Sequence, residues 1–157
     1  MAYDAFMKIG DIQGESTDSK HPGWIEIDSF SWGMTQSGSF SGGGGTGKVS
    51  FQDIHFTSST QKSSPRLAKA CATGEHIPKA ELSFVKLSPQ GFEFIKFEFQ
   101  DVLISSYQLG GSSGGEDRPT DSVSLNFTKI EFDFIPQKAD GSADDAVVFV
   151  FDVRQSA

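Results

Sequence analysis

The sequence holds one cysteine, Cys71, in 157 residues. That excludes an internal disulfide and any metal site built from several cysteines. Histidine is also scarce: His21, His55 and His76 stand apart, and none has a partner four residues on. A zinc site of helical spacing is therefore not expected. Positive charge is in the minority, with 13 Lys and Arg against 21 Asp and Glu, a formal net charge of -8 and a pI near 4.7. Nucleic-acid binders normally carry a basic patch, so that class is disfavoured. No apolar run approaches the roughly 18 residues of a membrane-spanning helix. The first residues, MAYDAFMKIGD, show no charged-then-apolar leader. The expectation is a chain made and folded in a cytosol, exported only by a route that reads no cleavable signal.

Tyrosine and tryptophan occur twice each, whereas phenylalanine occurs 15 times. Phenylalanine carries apolar area with no polar handle, which suits a thick sandwich or barrel core or flat contact surfaces between subunits. Glycine is abundant, 17 in all, and clusters at SGGGGTGKVS, Ser41 to Ser50. Gly42, Gly47 and Lys48 fit the start of a phosphate-binding loop. That motif needs Ser or Thr directly after the lysine to ligate Mg²⁺, and Val49 stands there. It should also open a helix, and VSFQDIHF reads as a strand instead. A long extended connection between strands is the better reading, with glycine permitting close backbone approach.

The rest of the chain is strand after strand. AYDAFMKI alternates; WIEIDSFSW alternates with a phase change at Ser29 that suggests a bulge. KVSFQDIHFTS slips phase at Gln52–Asp53. AELSFVKL follows, then the long FEFIKFEFQDVLISSYQL with a shift near Lys96. DSVSLNFTKIEFDFIPQ and AVVFVFDV complete the set. Such spacing, with Gly- and Pro-rich turns, predicts a sandwich or barrel. One segment differs. SSPRLAKACATG predicts a short helix with Ser64 as N-cap, Pro65 at the first position and Gly74 as C-cap. Leu67, Ala70 and Cys71 share its apolar face, so Cys71 reads as a buried structural thiol. A single β-rich domain over 1–157 is expected.

Chemical motifs are weak. GGSSGGEDRPTD offers Glu116, Asp117 and Asp121, but the spacing lacks a calcium-loop pattern, and an exposed polar loop is expected. PQKADGSADD reads as a polar turn. No G-x-S-x-G elbow appears, nor paired carboxylates or a second cysteine to support an enzyme. His21 sits in a turn before Pro22, His55 points outward from a strand, and His76 follows the helix cap.

Several stretches, in this order, make a resemblance specific: KIGDIQGES, SWGMTQSG, GGGGTGKVSFQDIHFT, SSPRLAKACATGEHIPKAEL, GGSSGGEDRPTDSVSLNF and PQKADGS. Together they resemble the Hcp family (haemolysin-coregulated protein), the inner-tube subunit of the bacterial type VI secretion system. The similarity runs end to end, weaker from Phe92 to Leu109 and in the final tail. It implies two packed antiparallel β-sheets forming a small barrel, one short helix at the side and an extended loop. It implies a hexameric ring, rings stacked into a tube, and export behind a spike by a contractile sheath. Effector cargo would ride in the channel. The location implied is the bacterial cytoplasm, then the exterior. No catalytic activity, cofactor, metal, nucleic acid or membrane insertion is implied.

Under this resemblance Gly42, Gly43, Gly44, Gly45, Thr46, Gly47 and Lys48 belong to an excursion that reaches neighbouring subunits. Glycine there lets backbone lie against another chain. Phe30 and Trp32 would face the core, with Ser29, Ser31 and Gly33 facing the channel. Ser31 is the leading cargo-contact candidate. The competing reading is a soluble monomeric or dimeric barrel that binds a small ligand, followed by a nucleotide hydrolase using Lys48.

Overall fold

The structure, a computed structural model, describes residues 2–37, 48–115 and 117–156. The glycine-rich stretch from Gly42 to Gly47 and Glu116 lie outside the described residues. Among the described residues there are eleven strands and one α-helix, with a short 3-10 turn at Val153–Ser156: β1 Tyr3–Ile9, β2 Ile25–Ile27, β3 Ser29–Ser31, β4 Met34–Gln36, β5 Val49–Phe51, β6 Ile54–Ser59, α1 Ser64–Thr73, β7 His76–Lys86, β8 Phe92–Gly110, β9 Thr120–Asn126, β10 Lys129–Phe134 and β11 Val147–Asp152. This is the mainly β chain with one short helix that the alternation predicted. All ladders are antiparallel and fall into two sheets.

The large sheet runs β2-β1-β7-β8-β9-β6-β3, with β10 and β11 continuing from β8. The ladder is not closed on itself. Its two ends, β2 and β3, are instead consecutive pieces of chain separated by Asp28, whose N–H donates to the Thr57 carbonyl at 2.7 Å. The phase change expected as a bulge at Ser29 is thus a change of partner. β2 pairs with β1, and one residue later β3 pairs with β6. A break in alternation marks either event, because both flip the side-chain parity.

The slip at Gln52–Asp53 has a similar cause. β5 pairs with β4 in the small sheet, and β6 returns to the large one. In β8 the shift lies at Phe94 rather than Lys96. Phe84 pairs with Ile95 and Val85 with Glu93, leaving Phe94 as the extra residue of a bulge. Farther along, Asp101 adopts φ 52°. Before it β8 pairs with β10, after it with β9. One long strand therefore serves two neighbours around a corner.

The phenylalanines bind the two sheets into layers. Phe97 stacks on Phe132 with centroids 4.6 Å apart. Trp32 meets Phe97 at 5.8 Å, and Phe51 meets Phe151 at 5.1 Å. These contacts seat β5 and the run before β4 on the β8-β10-β11 wing. Phe56, Phe84 and Phe99 are fully buried in the main core with Met7, Ile54 and Leu125. A ring of this size contributes about 2 kcal/mol or more when withdrawn from water.

The helix N-cap is Ser63, one residue earlier than predicted, and its side chain makes no capping hydrogen bond. Ser64 is engaged otherwise: its Oγ accepts from the Gln61 N–H at 2.9 Å and donates to Asp121. Gly74 ends the helix as expected, in the left-handed conformation at φ 64°. Its N–H donates to the Cys71 carbonyl and that of Glu75 to the Ala70 carbonyl. Leu67 and Ala70 are buried against the sheet, whereas Cys71 is only half-buried.

Candidate functional site

Strands β3, β6, β9 and the second half of β8 lie side by side, and each alternates. Apolar residues go inward: Ile54 and Phe56, Val123 and Leu125, Ile104. What remains outward is set by register. Ser29 lies opposite Thr57, Thr57 opposite Ser122, and Ser122 opposite Gln108. The next row reads Ser31, His55, Ser124 and Ser106. Four strands thus present a face of hydroxyls, one imidazole and one amide, with no carboxylate or ammonium in either row. At about 4.8 Å between strands, the face is roughly 15 Å across.

The hydroxyls are partly cross-linked. Ser29 Oγ and Thr57 Oγ1 are 2.6 Å apart, and His55 Nδ1 is 3.0 Å from Ser124 Oγ. At its lower border the bulged Ser105 donates to Asp53 Oδ2 at 2.6 Å, and Asn126 Nδ2 donates to Asp53 Oδ1 at 2.9 Å. Chemically the surface offers short neutral donors and acceptors on a rigid sheet. It can hold polypeptide surfaces by many weak hydrogen bonds without selecting charge.

The structure brings Ser29 and Ser31 together on this face, both exposed. Gly33 is not part of it: half-buried where the chain leaves β3 for β4, its carbonyl accepts from the Gln52 N–H at 3.0 Å. Phe30 and Trp32 point into the core as expected. Lys48 borders the stretch outside the described residues; its backbone pairs with Ser37, N–H to Oγ at 3.2 Å. The sequence reading missed the six partners of Ser29 and Ser31 on β6, β9 and β8. Their alternation was visible, but which strands adjoin was not.

The opposite kind of surface covers β7, β8 and β10. There Glu81 faces Glu98, and Glu98 faces Glu131. Lys79 Nζ contacts Glu81 at 2.8 Å and Glu98 at 3.6 Å. The hydrogen bond to Glu81 raises the Lys79 pKa. Glu131 is raised by burial first, then by Asp133 and Glu98.

Asp121 requires a correction. It is no exposed loop carboxylate but a fully buried residue of β9. Three hydroxyls donate to it, from Thr60 at 3.1 Å, Tyr107 at 2.9 Å and Ser64. It ties the start of α1 to β8 and β9. His21 is also buried, stacked on Phe6 at 4.7 Å and hydrogen-bonded to Asp18 at 2.8 Å. That bond to His21 leads the causes that lower the Asp18 pKa. Among the described residues no cluster of three His, Cys, Asp or Glu is arranged to hold a metal ion.

The family model described as type VI secretion system effector, Hcp, matches residues 6–134. The chain belongs to the Hcp family. A curated relative, Hcp1 of Pseudomonas aeruginosa, is 46% identical, with 99% of this chain and 98% of that protein covered. A solved type six secretion system protein superposes with a TM-score of 0.92 at 29% identity, covering 99% of each chain. Hcp1 from Salmonella typhimurium gives 0.82 at 33% identity, covering 99% of this chain and 98% of that one. Hcp proteins are structural, secreted components of the type VI system and not enzymes. The end-to-end likeness includes Phe92 to Leu109, the stretch where sequence resemblance was weaker. No helix among the described residues is long and apolar enough to cross a membrane.

Proposed function

We propose that this Hcp chain, acting over 1–157 as one β-rich unit, assembles into a hexameric ring whose copies join along strand edges. The rings stack into a tube that the type VI machine expels. The observation that carries the reading is β11. Among the described residues it pairs only with β10, and Val147, Val148 and Val150 on it are exposed. A free edge whose first five residues, Val147 to Phe151, are apolar invites another strand, and ring closure satisfies every edge without open growth in the plane.

The hydroxyl face, with Ser29 and Ser31, is then the channel wall. An uncharged lining lets folded effectors enter and leave, since no strong ion pair holds them. The role assigned to Gly42, Gly43, Gly44, Gly45, Thr46, Gly47 and Lys48 in this reading is contact with adjoining subunits; of these only Lys48 is among the described residues, paired through its backbone with Ser37. The spike and contractile sheath are the partners outside the tube, and the chain passes from bacterial cytoplasm to the exterior.

Sedimentation velocity with negative-stain imaging tests the assembly. The expected result is a particle near six times the 17.0 kDa chain mass with a hollow centre. A compact 17.0 kDa particle at every concentration sinks the reading.

A further inference from the structure

At the end of β1, β7 and β8 the core opens to solvent in a small cavity of about 240 Å³. Its floor is Phe84, 1% exposed. Around it stand Tyr3 at 5.5 Å, Phe30 at 4.6 Å and Phe94 at 6.5 Å, measured between ring centroids. Phe94 reaches this position as the extra residue of the β8 bulge. The wall is therefore aromatic on several sides.

Lys86 is the one charged residue in the lining among the described residues. It lies directly opposite Tyr3 in the β1–β7 ladder. Its Nζ sits 5.3 Å from the Phe94 centroid and 5.8 Å from that of Phe92. Those rings hold the ammonium over the mouth, yet no described carboxylate pairs with it. Asp4 and Glu93, which both lie opposite the preceding Val85, are not in the lining. The Tyr3 hydroxyl likewise makes no hydrogen bond to described residues.

Volume limits an occupant to about one ring with a short chain. A neutral apolar guest would leave the ammonium unpaired, and an amine would meet it with like charge. A phosphate calls for more donors than one ammonium and one phenol. We propose that this mouth binds small aromatic monocarboxylic acids, the ring against Phe30, Phe84 and Phe94, the carboxylate on Lys86 Nζ and the Tyr3 hydroxyl. The site is built within one chain, so the inference stands apart from ring assembly.

The test uses the full chain in whatever assembled state it adopts, with 3-(4-fluorophenyl)propionate as probe and its ¹⁹F line width as readout. The expected result is broadening that unlabelled 3-phenylpropionate reverses and 3-phenylpropylamine does not. Lys86→Gln, at a half-buried strand end where no described carboxylate pairs with the ammonium, should keep the fold and weaken binding about tenfold, the loss of one charge-assisted hydrogen bond. Phe94→Ala should weaken it further. No broadening at about 1 mM probe, equal competition by the amine, or unchanged affinity in Lys86→Gln would each overturn the proposal. The 1 mM ceiling is the weak end expected for a ligand this small.

Discussion

The Tyr107 hydroxyl donates to the Asp121 carboxylate at 2.9 Å, across adjacent strands, where Asp121 has no exposure to water. Burial of a carboxylate without a cation is tolerated because Thr60 and Ser64 donate to it as well. Removing the acceptor strands three donors; removing one donor leaves two. Asp121→Ala should therefore cost about 3 kcal/mol or more, and Tyr107→Phe roughly 1.5 kcal/mol. Urea unfolding of both variants checks the order. A Tyr107→Phe loss larger than that of Asp121→Ala contradicts the account.

Glu131 supplies a pH-dependent case. Its pKa is raised in the folded chain, by burial first, so the folded state holds the proton more tightly than the unfolded one. Its stabilising contribution is full below the unfolded value near 4.5 and disappears as pH rises through the folded value. At pH near 7.5 the charged carboxylate opposes Glu98 directly. Glu131→Gln should then stabilise the fold by ~0.5 kcal/mol, and the gain should vanish near pH 4. Melting curves at the two pH values decide it; a gain that grows toward acid would be the wrong sign.

The edge strand can be altered without harming the fold. Val148 lies opposite Asp133, and Val150 opposite Glu131. Lysine at both positions places each ammonium across from a carboxylate, so the β10–β11 hairpin should hold. The outward edge would carry two like charges, a common natural block to strand addition. The double variant Val148→Lys, Val150→Lys should melt within a few degrees of the parent and sediment at the mass of one chain. Rings that persist in the variant would show that copies meet elsewhere.

Ser31 tests the channel wall. It is exposed, and Gln at that position projects farther over the hydroxyl rows. Ser31→Gln should leave the sedimentation profile unchanged and reduce effector co-purification. Equal recovery of effector from parent and variant would remove Ser31 from the cargo surface.

Gly74 probes the helix end. Nothing lies within 4 Å of an added Cβ there, yet φ is +64°. Gly74→Ala should cost about 1 kcal/mol from backbone strain alone. A chemical melt showing no loss would mean the left-handed cap relaxes freely.

Much of this was legible along the chain. The strands, the Gly74 cap and the inward Phe30 and Trp32 follow from period-two patterning and local propensity, which neighbours in sequence decide. The failures of alternation at Ser29 and Gln52–Asp53 were also visible, and the one in β8 was visible but read near Lys96 rather than at Phe94. Their meaning was not: one is a change of sheet partner, one a transfer between sheets, one a bulge.

Sequence alone settled the family, the β-rich class and the outward direction of Ser29 and Ser31, because alternation and motif order are local facts. Only the tertiary structure decided which strands adjoin. Register placed Thr57, His55, Ser122, Ser124, Gln108 and Ser106 beside those serines, sank Asp121 among three hydroxyls, and turned Gly33 aside. Contacts between residues far apart in the chain depend on pairing and closure, and no window of neighbouring residues contains that information.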